Sequence, residues 1–574
     1  MDLRSRRWFE GTPDATFEHR SSMSAMGHHY SDYAGRPIIG IANSWNDFNN
    51  CNLPHKELVE DVKRGVRRAG GFPMEFHTIT TAADFMKPSD LPYRNLMAMD
   101  VEEMLRSHPI DGVVLLCECD KTCPAQLMAA ASVNLPALQL AAGHRESGYF
   151  QGKRVTYATD FWRYLDEFMA GRMSNAQWAE LESSISCSTG GCAVMGTSST
   201  MKSLSEILGM MLPGTSDIPA THGARRSAAE ATGERIVAMV HEDLRPSQLL
   251  TRPAFENAMC LLGALGGSTN ALLHLTAIAG RRGIALRPRD FAAVFKNIPL
   301  LVDIQPTGQY NMDDFFGAGG VAATIRTLFP LIDTSCLTAT GKTIKMEYGE
   351  NAVIDHRVIH SLDNPLAPGP TLAILFGSLA PDGSVVKTSA GEPQLRRHRG
   401  RAVVFSGYED MIRRVNSEDL NVDAESILIL RESGPVGVPG MPEWGAIPIP
   451  NKLLRQGIRD MVRISDARMS GTGYGTVILH VAPESAVGGP LALVQDGDEI
   501  MVDVEAGRLD LLVSVDELER RRRQWQEPQP VHLRGYLRLF AEHVLQAPEG
   551  CDLDFLRPTS TPALKFIEPT VGRS

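Results

Sequence analysis

Residues 113–116, Val-Val-Leu-Leu, are apolar on both faces of any strand they form, and Asp111-Gly112 bounds them. That is the pattern of a strand covered on both sides in a parallel sheet, so an α/β architecture is expected around it. The run turns at once into Cys117-Glu118-Cys119-Asp120-Lys121. Pro124 follows at a place suited to the first turn of a helix, which Ala125–Ala131 continues. A second apolar run, 135–142, closes a strand–helix–strand unit. Cys119, Asp120 and Lys121 therefore lie just past the carboxyl end of a strand, where open α/β sheets hold their ligands.

Two further cysteines occupy similar junctions. Ile38–Ala42 reads as a strand that opens into a polar loop ending in Cys51, and Leu58, Val62 and Val66 recur at helical spacing beyond Pro54 until Gly70-Gly71. Cys192 closes the stretch 182–192 and precedes a small-residue loop that opens a helix carrying Leu204 and Ile207. Amide groups at a helix start favour a thiolate and any negative cluster bound to it. Taken singly, each cysteine reads as a buried small hydrophobe. Taken together, three thiolates at three junctions can converge on one point above the sheet and leave an iron atom one open position. A zinc site using Cys119 and Cys123 lacks an obvious second pair.

At 574 residues the chain needs more than one core. Residues 77–92 read as a linker, 93–108 as a helix whose Asp100–Glu103 face is solvated, and 259–280 as a buried helix, a Gly-Gly-Ser-Thr-Asn turn and a second helix. Pro299–Asp303 reads as a strand. From about residue 365 short strands alternate with Gly/Pro turns, near 371–375, 402–405, 426–430, 461–465, 476–480 and 499–503. The expected organisation is a large amino-terminal α/β domain with a parallel sheet, residues 1–365, and a smaller, β-rich, barrel-like carboxyl-terminal domain, residues 366–574.

A net charge of −11 argues against nucleic acid or an anionic membrane as partner, which leaves small molecules. The basic runs Arg396–Arg399 and Arg520–Arg523 read as a surface loop and a solvated helix end. The amino terminus has charges but no apolar run behind them, and nine cysteines are an odd number. Free thiols or metal ligands in a reducing cytoplasm are expected rather than a disulfide framework.

Six blocks, taken in order, resemble a known family: Cys51-Asn52 with His55; Cys119-Asp120-Lys121 with Pro124; Cys192 with Met195–Thr200; Leu265–Asn270; Pro439–Glu443; and Ser465–Gly471. They look like the signature blocks of the dihydroxy-acid and sugar-acid dehydratases and spread over nearly the whole chain. The resemblance implies a hydro-lyase with an iron–sulfur cluster, 2Fe-2S ahead of 4Fe-4S, held by Cys51, Cys119 and Cys192. It further implies a magnesium ion held by Asp120, a carbamylated Lys121 and Glu443, with Ser470 as the base. Carbamylation suits that role, because it turns a cationic amine into an anionic oxygen ligand for a hard cation. The implied reaction converts a 2,3-dihydroxy acid, an aldonate or glycerate, to a 2-keto-3-deoxy acid and water. A homodimer or homotetramer is implied as well.

One block departs from the pattern. Where the sugar-acid branch has a glutamate metal ligand, this chain has Ala83; Asp84, one residue on, is the candidate substitute ligand from a shifted backbone, and the readings that the metal is held by fewer protein groups and that Asp84 is a solvated loop acid stay open. The motif Tyr93–Glu103 and the tail at 543–556 resemble the sugar-acid branch. Three other readings stay open: the branched-chain dihydroxy-acid dehydratase, a non-catalytic iron–sulfur electron carrier or sensor, and a catalytically silent cluster-binding protein.

Overall fold

The computed structural model describes residues 3–169, 171–529, 532–558, 566 and 568–571, so Met1 and Asp2 of the amino-terminal reading lie outside the described residues. Strands β1 (Ile38–Asn43), β2 (Phe72–His77), β3 (Gly112–Cys117) and β4 (Ala137–Ala141) form a wholly parallel sheet in the order β2-β1-β3-β4. β1, β3 and β4 are buried along their whole length, as their two-sided apolarity dictates. β2 overlaps the start of the stretch read as a linker. It is a half-exposed edge strand containing Pro73 and Glu75, which blurs its pattern and which only an edge position accepts.

Helices His55–Arg68, Leu91–Ser107 and Thr122–Val133 make the successive crossovers. The chain leaves β1 toward β2 on one side, while β3 pairs on the other, so the direction of winding reverses between β1 and β3. The crevice at that reversal is where a doubly wound sheet binds ligands. Cys51 follows β1 and Cys119–Lys121 follow β3. Helix Gly223–Glu242 covers the sheet by crossing His55–Arg68 at backbone contact: a Cβ on Gly65 would lie 2.0 Å from Glu230 O, and one on Gly233 2.2 Å from Val62 O.

Two expectations for this half are corrected. The Asp100–Glu103 face is solvated only in part: Glu103 is exposed, but Val101 and Glu102 are buried, Glu102 pairs with Arg281 at 3.0 Å, and half-buried Asp100 accepts the Ile79 N–H at 3.0 Å. Arg281 reaches that face from a remote helix, Asn270–Arg281, and holds Asp552 at 2.6 Å as well. Pro299–Asp303 forms no strand; Leu300 and Val302 make single bridges to Ala367 and Ile359.

After the small hairpin β5 (Gly148–Phe150) and β6 (Lys153–Val155), all remaining strands belong to one sheet. These are β7 (Ala373–Leu375), β8 (Gly383–Val386), β9 (Arg397–Ser406), β10 (Ile427–Arg431), β11 (Arg463–Ser465), β12 (Val477–Ala482), β13 (Glu499–Asp503) and β14 (Arg508–Leu511). Their order is β14-β13-β9-β10-β11-β12-β8-β7. Phe376, just past β7, bonds back onto the β14 segment through Gly507 O at 2.9 Å and the Leu509 N–H at 2.8 Å, which nearly closes a barrel. Leu375, Val404, Ile429, Ile464, Ile478 and Ile500 fill its interior. The barrel-like expectation holds, and β8 and β14 are strands the sequence did not signal. Arg397–Arg399, read as loop, instead open β9 and pair with β13, where Arg399 meets Glu499 at 2.6 Å. Arg520–Arg523 do end a helix, Val515–Gln524. No described helix is long and apolar enough to cross a membrane.

Candidate active site

Asn52 draws two of the cysteines together. Its Oδ1 accepts the Cys119 N–H at 3.1 Å, and its Nδ2 reaches Ser44 O and Thr122 Oγ1, both at 3.2 Å. The loop after β1 is thereby tied to the loop after β3, and the Cys51 thiol is pushed up by its hydrogen bond to Cys119 and by burial. Cys192 arrives on a third loop, which pairs with the segment after β4 through Gly191 N to Gly143 O, 2.9 Å, and Arg145 N to Gly191 O, 2.8 Å. Burial pushes its thiol up to about 12, opposed by Arg145 and assisted by Asp120, Asp84 and Cys119.

Arg145 is a buried residue that sequence reasoning missed. Its Nη2 lies 3.9 Å from Cys51 Sγ, while Nε bonds Gly191 O and Nη1 bonds Ser186 Oγ. The other cysteines stay apart from this cluster. Cys123 bonds Gln139, Cys187 is exposed, and all nine cysteines are free, as expected.

The start of helix Thr197–Ile207 is the floor of the site. Its Ser198 N–H donates to Asp120 Oδ1 at 3.1 Å, a favourable place for a carboxylate at a helix amino terminus. Beneath it Glu118 accepts from Ser198 Oγ at 3.1 Å and forms a short, buried pair with Lys202. Burial pushes the Asp120 carboxyl up to about 6, with Lys121 opposing and Glu443, Asp90 and Asp84 adding to the rise.

Lys121 is almost fully buried. Its Nζ stands 3.1 Å from Asp90 Oδ1, 3.6 Å from Asp120 Oδ2 and 3.7 Å from Glu443 Oε1. Burial alone would lower the ammonium; Asp90, Glu443 and Asp120 together outweigh it and the opposing Arg468, and hold it above its ordinary value.

The barrel half reaches this floor through two loops. Glu443 accepts from Asn270 Nδ2 at 2.8 Å and from Arg468 Nη1 at 2.9 Å, and Arg468 also bonds Met441 O and Ser89 Oγ. The second loop follows β11 and carries Ser470, whose Oγ lies 2.9 Å from Thr472 Oγ1. Gly471 lets it sit against the helix start, since a Cβ there would meet Thr197 N at 2.7 Å and Ser268 Oγ at 2.8 Å.

Cys51, Cys119, Cys192, Asp120, Lys121, Glu443 and Ser470 thus gather around one helix start. Asp84 is an exposed rim residue whose charge still raises Asp120 and Cys192. Asp90 went unrecognised because it falls in the stretch 77–92 that reads as a linker. Among the described residues no three His, Cys, Asp or Glu side chains alone form a metal cage; the carboxylates face the lysine instead.

Such a site combines soft sulfur donors with hard oxygen donors a few residues apart, which could hold a soft and a hard metal ion respectively. Residues 36–348 match the dihydroxy-acid/6-phosphogluconate dehydratase N-terminal family, and residues 357–551 match its C-terminal counterpart. The chain is 45% identical to a 6-deoxy-6-sulfo-D-gluconate dehydratase of Pseudomonas putida, over 97% of this chain and 96% of the relative. It is 44% identical to an L-arabinonate dehydratase of Rhizobium leguminosarum bv. trifolii, over 97% and 96%. It is also 40% identical to a dihydroxy-acid dehydratase of Ignicoccus hospitalis, over 91% and 95%. The chain therefore belongs to the dihydroxy-acid/6-phosphogluconate dehydratase family, in its sugar-acid branch, and is a hydro-lyase.

Proposed function

We propose that the protein dehydrates an aldonate to its 2-keto-3-deoxy acid, with an iron–sulfur cluster on Cys51, Cys119 and Cys192 and a divalent cation on Asp120, carbamylated Lys121 and Glu443. The observation that carries this reading is the convergence of three cysteines, three carboxylates around Lys121 and the Ser470 turn on the start of helix Thr197–Ile207. The residues fit both groups. Thiolates suit iron, oxygen donors suit magnesium, and the buried Asp90 Oδ2 and Asn270 Oδ1 have no hydrogen-bond partner in the protein. Two sugar-acid dehydratases at 45% and 44% identity support the substrate class.

Lys121 becomes an oxygen ligand when its free amine adds carbon dioxide: an N–C bond forms and one proton leaves. Asp120 is kept in place by the Ser198 N–H, and Glu443 by Asn270 and Arg468, so both ligands are oriented beforehand. When bound, the divalent ion and a cluster iron supply Lewis acids at the substrate's C2 oxygen and at its C3 leaving oxygen. Ser470, once its own hydroxyl proton has passed to solvent, takes the C2 proton on Oγ as an alkoxide, with Thr472 holding that oxygen in line. The C2–H electron pair becomes the C2=C3 bond, the C3 hydroxyl departs and is protonated to water, and the enol tautomerises to the 2-keto acid. Thr197, Ser268 and Asn270 form a hydroxyl- and amide-rich floor suited to a polyhydroxylated chain.

The test is anaerobic purification, an iron–sulfur absorbance spectrum, and assay of 2-keto acid formation with magnesium. The panel is L-arabinonate, D-xylonate, 6-deoxy-6-sulfogluconate, glycerate and 2,3-dihydroxyisovalerate. Sugar-acid turnover is expected to exceed that of the branched-chain substrate; a cluster-loaded protein inert toward the whole panel would overturn the reading.

A further inference from the structure

Asp90 stands in the N-cap position of helix Leu91–Ser107 but makes no side-chain cap bond. An aspartate there ordinarily accepts a first-turn N–H and so stabilises the helix start. Here the Leu91 N–H goes to Ser89 Oγ at 3.2 Å, and the Asp90 carboxylate turns inward. It is 4% exposed. Its Oδ1 faces Lys121 Nζ at 3.1 Å, with Arg468 Nη2 farther off at 3.9 Å. Its Oδ2 is buried and has no hydrogen-bond partner. A carboxylate oxygen left unpaired in the interior is costly, so it calls for something to complete it.

We propose that Asp90 is a ligand of the divalent cation, supplying this chain with a buried carboxylate that Ala83 cannot offer and the exposed Asp84 does not replace. The inference rests on the dehydratase reading of the site and names a residue of that same site. Charge makes the case. Lys121 is now an ammonium among Asp90, Asp120 and Glu443. Converting it to a carbamate removes one positive charge and adds one negative, so Asp90 Oδ1 would lose its partner and face an anion. A divalent cation between the two groups restores the balance and gives Oδ2 its missing partner. Hard cations of this size take about six oxygen ligands. Asp120, Glu443 and the carbamate provide three protein groups, Asp90 a fourth, and substrate oxygens have room for the rest.

The experiment uses manganese as the probe. Cluster-loaded protein in bicarbonate buffer is titrated with Mn2+, and the free ion is read by electron paramagnetic resonance, for the wild type, Asp90→Asn and Asp84→Asn. Asp90→Asn is expected to weaken Mn2+ binding at least tenfold with the cluster spectrum unchanged, and Asp84→Asn less than threefold. Equal or tighter binding by Asp90→Asn would overturn the proposal, as would a larger loss in Asp84→Asn. Should Asp90→Asn fail to fold, the surface variant Asp84→Asn is labelled with carboxyl-13C aspartate and loaded with Mn2+. Hyperfine coupling to two aspartate carboxyl carbons, those of Asp90 and Asp120, is expected; coupling to one overturns the proposal. Wild-type turnover is scored separately, so Asp90-dependent Mn2+ binding without dehydration would sink the functional reading and leave the ligand assignment standing.

Discussion

Arg145 points Nη2 at Cys51 Sγ from 3.9 Å while its other nitrogens are anchored on Gly191 and Ser186. The guanidinium is therefore a fixed positive charge beside the Cys51 and Cys192 thiols. Replacing Arg145 with Met should lower the reduction potential of the reconstituted cluster, because the extra electron loses a stabilising charge, and Arg145→Lys should recover much of the shift. A redox titration followed by visible absorbance measures it. An unchanged potential would remove Arg145 from the cluster's surroundings.

Ser470→Ala should cut kcat by about a thousandfold or more, with KM and cluster absorbance little changed, since the hydroxyl acts on the proton in flight rather than on ground-state binding. Thr472→Val should cost about tenfold through loss of the 2.9 Å contact that orients Ser470. Steady-state kinetics on the best substrate distinguish the two roles. A Ser470→Ala enzyme with near-normal kcat would require another base.

Stability should respond to pH through Glu206. Burial, with Asp217 adding, pushes its carboxyl up to about 7 from an ordinary 4.5. The folded state thus holds that proton more tightly than the unfolded chain does. Its contribution is complete below about pH 4.5 and lost as pH rises through about 7. Between pH 8 and 6.5 the Glu206 contribution to the unfolding free energy should rise on acidification by about 1 kcal/mol, and Glu206→Gln should remove that contribution. Buried His55 and His480, both pushed down to about 3 from an ordinary 6.5, act in the opposite sense from the lower end of that window downward, so the Glu206 contribution is read as the difference between wild type and variant. Urea unfolding at four pH values gives the slope; an identical slope in the variant would clear Glu206 of the effect.

Arg281 joins three distant segments by pairing with Glu102 at 3.0 Å and Asp552 at 2.6 Å, all buried. Arg281→Met leaves two buried carboxylates without their cation and should cost about 3–5 kcal/mol. Denaturant melts of the variant and of an Arg281→Met, Asp552→Asn, Glu102→Gln triple variant measure it; the triple variant should recover part of the loss.

What the sequence disclosed follows from how local each signal is. The run 113–116 and the cysteine junctions are contiguous patterns, and they placed Cys51 and Cys119 past strand ends; the winding reversal beside them needed the strand order. β2 was hidden because an edge strand with Pro73 and Glu75 lacks the two-sided apolarity of its neighbours. Glu102 read as solvated because its partner, Arg281, lies 179 residues away. Asp90 and Arg145 were missed for the same kind of reason: one lies in a stretch read as a linker and pairs with Lys121 on another loop, and the other acts through a thiol 94 residues distant. Chemistry assembled from separate loops becomes legible only when the loops are placed.

The return of the 376–379 segment onto β14 bears on how copies of this protein can meet. Leu509 gives its N–H to Phe376 O and takes the Leu379 N–H, and Leu511 is met by the Ser378 hydroxyl. The outer rim of the last strand is therefore already saturated within its own chain. A saturated rim offers no template for strand addition. Any assembly on this side of the barrel must be built from side-chain complementarity, which leaves it open to tuning one residue at a time.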